Sequence, residues 1–287
     1  MDLENIKTII VIGAGTMGKG ITQLSAMAGY DTILYDIDTI RLGKALETIT
    51  KNIDGGIKRN KIKAEDKAAI LGRIRTSTDS FELKGEVIIE AIIENAEIKI
   101  DLFKKLATFN YTDTIFATNT SSIPITRIAA NIPNPGRVVG MHFFNPAHIM
   151  KLVEVISGEA TDPKIAQTTF DLAVKLGKKA VMAKDSPGFI VNRVARNFYV
   201  ESLNTLEEQV ADFETIDALM ENNGFRMGPF RLMDLIGINT NFAVTKSMYN
   251  SFFQPPKFRP SRIQQQKVHA GHWGKKTGKG FYDYEVG

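Results

Sequence analysis

The chain has 287 residues, 43% of them hydrophobic, enough for a sizeable core and suited to two unequal globular domains. Its formal charge of +4 at pH 7 falls far short of the dense Lys/Arg stripes that track nucleic acid; small acidic ligands such as phosphates fit it better. The absence of cysteine excludes disulfides, thiolate nucleophiles and Cys-held metals, and no run approaches the roughly 18 apolar residues of a membrane helix.

The opening "MDLENIKTIIVIGAG" is acidic and enters a short apolar strand at once, unlike a secretion signal, so a cytoplasmic location is expected. The segment "TIIVIGAGTMGKGITQLSAMAGYDTILYD" then reads as a strand over 8–12, a glycine turn, a helix over 16–28 stopped by Gly29, and a second strand ending at Asp36. In the turn Gly13-Ala14-Gly15-Thr16-Met17-Gly18, Gly13 permits the sharp bend and Gly15 lets the backbone approach a pyrophosphate. Gly18 lets helix and strand pack closely. The helix N-terminus offers N–H groups to the phosphates, so a dinucleotide cofactor is expected. Asp36 would accept hydrogen bonds from the adenosine ribose and repel a 2′-phosphate, favouring NAD, while Arg41 keeps NADP as an alternative.

From 39 to 57 the apolar residues Leu42, Leu46, Ile49, Ile53 and Ile57 recur at helical spacing, and a more polar helix follows over 64–72. This is a helical hairpin inserted after the second strand. Its basic side, with Lys51, Lys58, Arg59, Lys61 and Lys63, is either a solvated face or a grip on a polyphosphate tail; the pattern alone favours the solvated face.

A buried strand over 87–93 and its helix, then the strand and short helix of "DTIFATNTSSIPITRIAANIP", continue the alternation that makes a mainly parallel, Rossmann-type sheet. Ligands of such sheets sit beyond the carboxyl ends of the strands, where Glu94, Asn95, Asn119, Thr120, Ser121 and Ser122 fall. Ser122 has two readings, a cap for the short helix or a group in the site.

"GMHFFNPAHIMKLVEVI" places His142 and Glu154 in an apolar run. As an antiparallel pair of strands turning near His148, it sets His142 opposite Glu154, with Cβ atoms about 5 Å apart. A carboxylate there accepts one imidazole N–H, fixes the tautomer and stabilises the imidazolium when it forms. The pair could simply pin the hairpin. Beside a hydride carrier it has a second use, as the base that removes a hydroxyl proton while the carbinol hydride leaves. His148, His269 and His272 lack clustered carboxylates and are read as non-metal histidines, so no metal is expected.

A helix capped by Asp162 and Pro163 and stopped by Gly177 leads to a final strand. Beyond it the pattern is all-helical, which sets a boundary near Asp185 between a domain of residues 1–184 and a smaller one of 185–287. The second should begin with a helix from about Pro187, its apolar face carrying Ile190, Val194, Phe198 and Leu206. Asn192 would lie in its opening turns.

"VIGAGTMGKGI", "EAIIEN", "TNTSSIPIT", "GMHFFNPAHIMKLVEVI", "DSPGFIVNRV", "MGPFRLMDLIG" and "GKKTGKGFYDY" together resemble the 3-hydroxyacyl-CoA dehydrogenase family over nearly the whole length, closest to the short-chain bacterial 3-hydroxybutyryl-CoA dehydrogenases. The resemblance implies His142 as general base, Glu154 as its partner, and Ser121 and Asn192 as donors to the substrate oxygen. It implies that Asp36 holds the ribose and that Glu94, Lys99, Asn119, Ser121, Asn145 and Lys276 lie along NAD. The family's coenzyme A contacts fall on Asn52 and Arg59, and its members form homodimers through the helical domain. Two other readings are a dehydrogenase of free 3-hydroxy acids and a non-catalytic dinucleotide sensor. The first relies on a lysine early in the helical domain, and none occurs here between Lys184 and Lys246; the joint presence of His142, Glu154, Ser121 and Asn192 argues against the second.

Overall fold

The computed structural model describes residues 1–285 and divides the chain into two compact units, Met1–Ser186 and the residues from Pro187 onward. The first holds a single sheet of eight strands: β1 (Thr8–Ile12), β2 (Asp31–Tyr35), β3 (Ile74–Ser77), β4 (Val87–Glu90), β5 (Ile115–Thr118), β6 (Val138–Phe143), β7 (Leu152–Ser157) and β8 (Lys179–Lys184). Their order is β3-β2-β1-β4-β5-β6-β7-β8, and every neighbouring pair is parallel except β6 and β7. The chain leaves β1 in one direction and resumes at β4 in the other. Such a reversal opens a crevice at the strands' carboxyl ends.

The helices of this unit are α1 (Thr16–Met27), α2 (Thr39–Lys58), α3 (Asp66–Gly72), α4 (Ala96–Ala107), α5 (Ile125–Ala129) and α6 (Pro163–Lys175). Central strands β1, β4, β5 and β6 are apolar and buried on both faces, as parallel strands covered by helices must be. The inserted hairpin α2–α3 buries Ile49, Ile53 and Ile70 with Ala26 of α1, which fastens it to the helix after the glycine turn.

Two local expectations need correction in this unit, and one strand went unpredicted. Strand β3 has only one apolar residue in four and shows no period, so it was invisible in the pattern; it forms because its backbone pairs with β2 at the sheet edge. Strand β4 stops at Glu90 rather than Ile93, because the Glu90 carboxylate accepts the N–H of Ile92 at 2.7 Å and turns the chain out of the ladder. Ser122 does not cap α5. The donors at that helix start, Ile125 and Thr126, give their N–H groups to Asp185 at the end of β8, at 3.0 and 2.8 Å.

The second unit consists of α7 (Val191–Glu207), α8 (Phe213–Asn222), α9 (Pro229–Ile236), α10 (Ile238–Ser251) and α11 (Arg262–His269). Its first helix begins four residues later than expected, because Gly188 and Phe189 both have positive φ and cannot continue a right-handed turn. Its buried face is Arg196, Tyr199, Val200 and Leu203, while Val194 is 70% exposed. Of the expected apolar stripe, Phe198 and Leu206 pack against the core of this unit, whereas Val194 lies outside it.

Tyr199, Leu203, Ile216, Phe230, Met233, Ile238 and Phe281 form the core of this unit. Two buried carboxylates organise it. Asp217 accepts the N–H groups of Phe230 and Arg231 at the start of α9, and Asp234 accepts those of Phe281 and Tyr282 together with the Tyr284 hydroxyl. A Cβ on Gly274 or Gly280 would run into Asp234, which explains both glycines of the closing motif.

Candidate active site

The glycine turn is built by sterics. Gly13 has φ +103°, and a Cβ there would stand 2.7 Å from the Ala91 carbonyl oxygen at the end of β4. A Cβ on Gly18 would collide with the Gly13 carbonyl oxygen, so a glycine is required where α1 crosses the turn. Gly15 is different: a Cβ there would meet nothing within 4 Å. Gly15 is the residue just before α1, where among the described residues no side chain caps the first N–H groups. Those donors suit the pyrophosphate of a dinucleotide.

Asp36 follows β2 and is buried, its Oδ2 accepting the Ala14 N–H at 2.8 Å and its Oδ1 the Asp38 N–H at 3.1 Å. The carboxylate therefore fixes the turn. Each oxygen keeps a further lone pair, so ribose hydroxyls fit as additional donors. Arg41, the candidate for a 2′-phosphate, lies 3.5 Å from Asp38 in an exposed pair. The residues present fit NAD.

Beyond β4 and β5 a second polar group forms. One oxygen of Glu94 accepts the Thr120 hydroxyl at 2.6 Å, the Ser121 and Ser122 N–H groups at 3.1 Å each and the Ser122 hydroxyl at 3.0 Å. Glu94 keeps 38% of its side chain exposed, and the partial burial of its carboxyl opposes ionisation. The nearby Lys99 charge and these hydrogen bonds outweigh it and hold the carboxyl below its ordinary value. Lys99 is turned inward, 1% exposed, with its ammonium 2.5 Å from Glu90 and 3.4 Å from Glu94. Asn119 accepts the Phe143 N–H at 2.8 Å and ties the tip of β5 to β6.

On β6 and β7, His142 stands opposite Glu154 in the antiparallel register, and His142 Nδ1 is 2.8 Å from Glu154 Oε2. Glu154 is fully buried and His142 nearly so, with the Phe144 ring 4.6 Å from the imidazole. A carboxylate so placed in a low-dielectric setting favours the tautomer with the proton on Nδ1. Asn145 is exposed in the turn that follows.

That turn is pinned from below by Lys178. Its ammonium donates to the carbonyls of Ala147 and Met150 at 2.6 and 2.8 Å, and burial pulls its pKa down to about 8. Burial, and then the charges of Lys178, Arg59 and Lys19, hold His148 below its usual value. Arg59 closes the C-terminus of α2 and is exposed, and Asn52 on the same helix donates to Gln23 of α1 at 3.1 Å.

Asn192 and Lys276 belong to the second unit. Asn192 is the second residue of α7 and half-buried. Lys276 has its ammonium 5.3 Å from the Trp273 ring, and burial holds its pKa down. Sequence reasoning missed Glu90 and Lys178. Each lies at an element end whose partners come from other elements, so no local pattern announces it.

The NAD binding domain of 3-hydroxyacyl-CoA dehydrogenase matches residues 8–186, and the C-terminal domain of the same enzymes matches residues 188–284. A 3-hydroxyadipyl-CoA dehydrogenase from Escherichia coli is 47% identical over 284 residues, which is 98% of this chain but 60% of that protein, so the chain spans about three-fifths of that relative's length. A probable 3-hydroxybutyryl-CoA dehydrogenase from Bacillus subtilis is 40% identical over 98% of both chains. The crystal structure of an (S)-3-hydroxybutyryl-CoA dehydrogenase from Ralstonia eutropha superposes with a TM-score of 0.94 at 39% identity, covering 98% of this chain and 99% of that one. With both of its units matched and relatives of this identity along its full length, the chain belongs to the 3-hydroxyacyl-CoA dehydrogenase family.

Proposed function

We propose that this chain interconverts an (S)-3-hydroxyacyl-CoA and the 3-ketoacyl-CoA with NAD, on short acyl groups such as the four-carbon one. The observation that carries the reading is the buried His142–Glu154 hydrogen bond on the sheet that also bears the dinucleotide turn. The names of the B. subtilis and R. eutropha relatives support the substrate class.

With Nδ1 held by Glu154, the other ring nitrogen of His142 takes the 3-hydroxyl proton, and Glu154 stabilises the imidazolium that results. Bound NAD supplies the acceptor for the hydride that leaves the same carbon. As the C–H and O–H bonds break the carbonyl forms, and its oxygen is held by the Ser121 hydroxyl and the Asn192 amide. Asp36 holds the adenosine ribose, the N–H groups of Gly15 to Gly18 hold the pyrophosphate, and Glu94, Lys99, Asn119, Asn145 and Lys276 line the cofactor. Asn52 and Arg59 meet coenzyme A.

Residues 1–184 form the NAD-binding part and residues 185–287 the substrate and dimerisation part of a cytoplasmic homodimer. Exposed Val194, Leu219 and Phe225 on the second unit support the dimer. No helix among the described residues is long and apolar enough to cross a membrane.

The test is to mix purified protein with acetoacetyl-CoA and NADH and follow the loss of reduced nicotinamide. No turnover with any 3-ketoacyl-CoA would remove the proposal, and equal rates with free 3-hydroxybutyrate would move the substrate class to free acids. A rate profile over acyl length should include a dicarboxylic acyl group, the kind for which the E. coli relative is named.

A further inference from the structure

Glu90 and Lys99 form an ion pair with almost no exposure, 0% and 1%, at the top of the sheet. Glu90 is held from both sides, one oxygen accepting the Ile92 N–H and the other the Thr118 hydroxyl, each at 2.7 Å. Lys99 reaches past it to Glu94 Oε2 at 3.4 Å. The opposite oxygen of Glu94 gathers four donors, all from residues 120 to 122. One continuous chain of contacts therefore runs from Glu90 to the backbone of Ser121.

Stability alone is a weak reason for a buried lysine here, since an apolar pair of similar volume is often as stable as a buried ion pair or more so. What an apolar pair cannot do is place a positive charge behind Glu94. We propose that Lys99, anchored by Glu90, is a positioning residue: it keeps Glu94 an anion, and the anion shapes the turn of residues 120–122 that aims the Ser121 hydroxyl. This rests on the function proposed above, in which Ser121 meets the substrate oxygen.

The charged groups facing Glu94 are Lys99 from α4 and, behind it, Glu90 from β4; the other contacts are the neutral donors of Thr120, Ser121 and Ser122. Glu97 and Arg127, on α4 and α5, pair with each other at 2.6 Å. Glu94 keeps 38% of its side chain exposed; without Lys99 the positive charge beside its second oxygen is gone, which moves its carboxyl upward toward the protonated acid, with the donors of residues 120–122 left to oppose it. A protonated Glu94 offers one oxygen as a donor and loosens its hold on the turn.

The experiment compares the wild-type protein with the double variant Glu90→Gln/Lys99→Met, which removes the pair without stranding either charge. The first readout does not depend on turnover: the amide resonances of Ser121 and Ser122 are followed by NMR from acid to neutral pH. Both should titrate in the variant at a pH where the wild type is constant. The second is the shape of kcat against pH, in which the variant gains an acidic limb that the wild type lacks, with a loss of up to about a hundredfold across it, the cost expected of a misplaced group; because Lys99 also lies along the cofactor, the shape of the profile and not its plateau is compared. Amides that titrate alike in both proteins, or a variant profile of wild-type shape at whatever melting temperature, overturn the proposal. If the wild type turns over no 3-ketoacyl-CoA, the proposed function fails, and the amide titration alone decides the positioning role. Should the double variant not fold, Glu90→Leu/Lys99→Leu, an apolar replacement of the same pair that likewise strands no charge, gives the same two readings.

Discussion

Gly18 crosses the carbonyl oxygen of Gly13 so closely that no Cβ fits between them, whereas Gly15, between the two in sequence, looks onto open space. Replacing each by alanine therefore separates two roles. Gly18→Ala forces α1 off the turn and should cost about 1–3 kcal/mol of stability, the usual penalty of overpacking. Gly15→Ala should melt like the wild type and yet bind NADH weakly, because its methyl occupies space beside the phosphate donors. Thermal melting and NADH titration of both variants check this.

Glu154→Gln preserves the shape of the contact to His142 but removes the charge that stabilises an imidazolium. A fall in kcat of roughly 10² to 10⁴ is expected, as for other orienting carboxylates and general bases. His142→Gln should abolish turnover while leaving NADH binding nearly intact. Steady-state rates and fluorescence titration of NADH are the measurements. Retention of half the wild-type kcat in Glu154→Gln would exclude its electrostatic role.

Lys178 titrates at about 8 in the folded chain, below its ordinary 10.5, because it is buried. The unfolded chain therefore binds more protons from this group between those values, and stability gained from it rises as pH increases from 8 toward 10.5. The neutral amine still has two N–H donors for the Ala147 and Met150 carbonyls. Lys178→Met should lose that alkaline rise, leaving a flatter profile of unfolding free energy against pH in urea melts, and should loosen the 147–150 turn.

Asp36→Ser removes a carboxylate that accepts from two backbone N–H groups and stands ready for the ribose. Hydrogen bonds to a charged group contribute about 1.5–3 kcal/mol, so NADH affinity should fall at least about tenfold. The ratio of NADPH to NADH affinity should rise, since the repelling charge is gone. Paired titrations with the two nucleotides test the prediction.

Much of this arrangement could be read from residues near one another in the chain. The turn at Gly13 to Gly18 declares itself by spacing, and the His142–Glu154 pairing follows from two strands and one short turn, where numbering alone sets the register. The Glu90–Lys99–Glu94 group could not be found that way, because its geometry depends on where β4 stops and how α4 leans back over it. Val194 misled for a related reason: helical spacing identifies a stripe, but which stripe faces inward was decided by Arg196, a charged residue with one guanidinium nitrogen that donates to Asn241 and Thr245 of α10. The edge strand β3 carried too few apolar residues to signal anything.

Asp234 sits in the middle of the second unit's sequence, yet its donors come from Phe281, Tyr282 and Tyr284. During synthesis those residues leave the ribosome well after the helices they complete. Until then a bare carboxylate lies where the nascent core would close, so this half of the molecule should stay open to chaperones and proteases after the sheet half has already set.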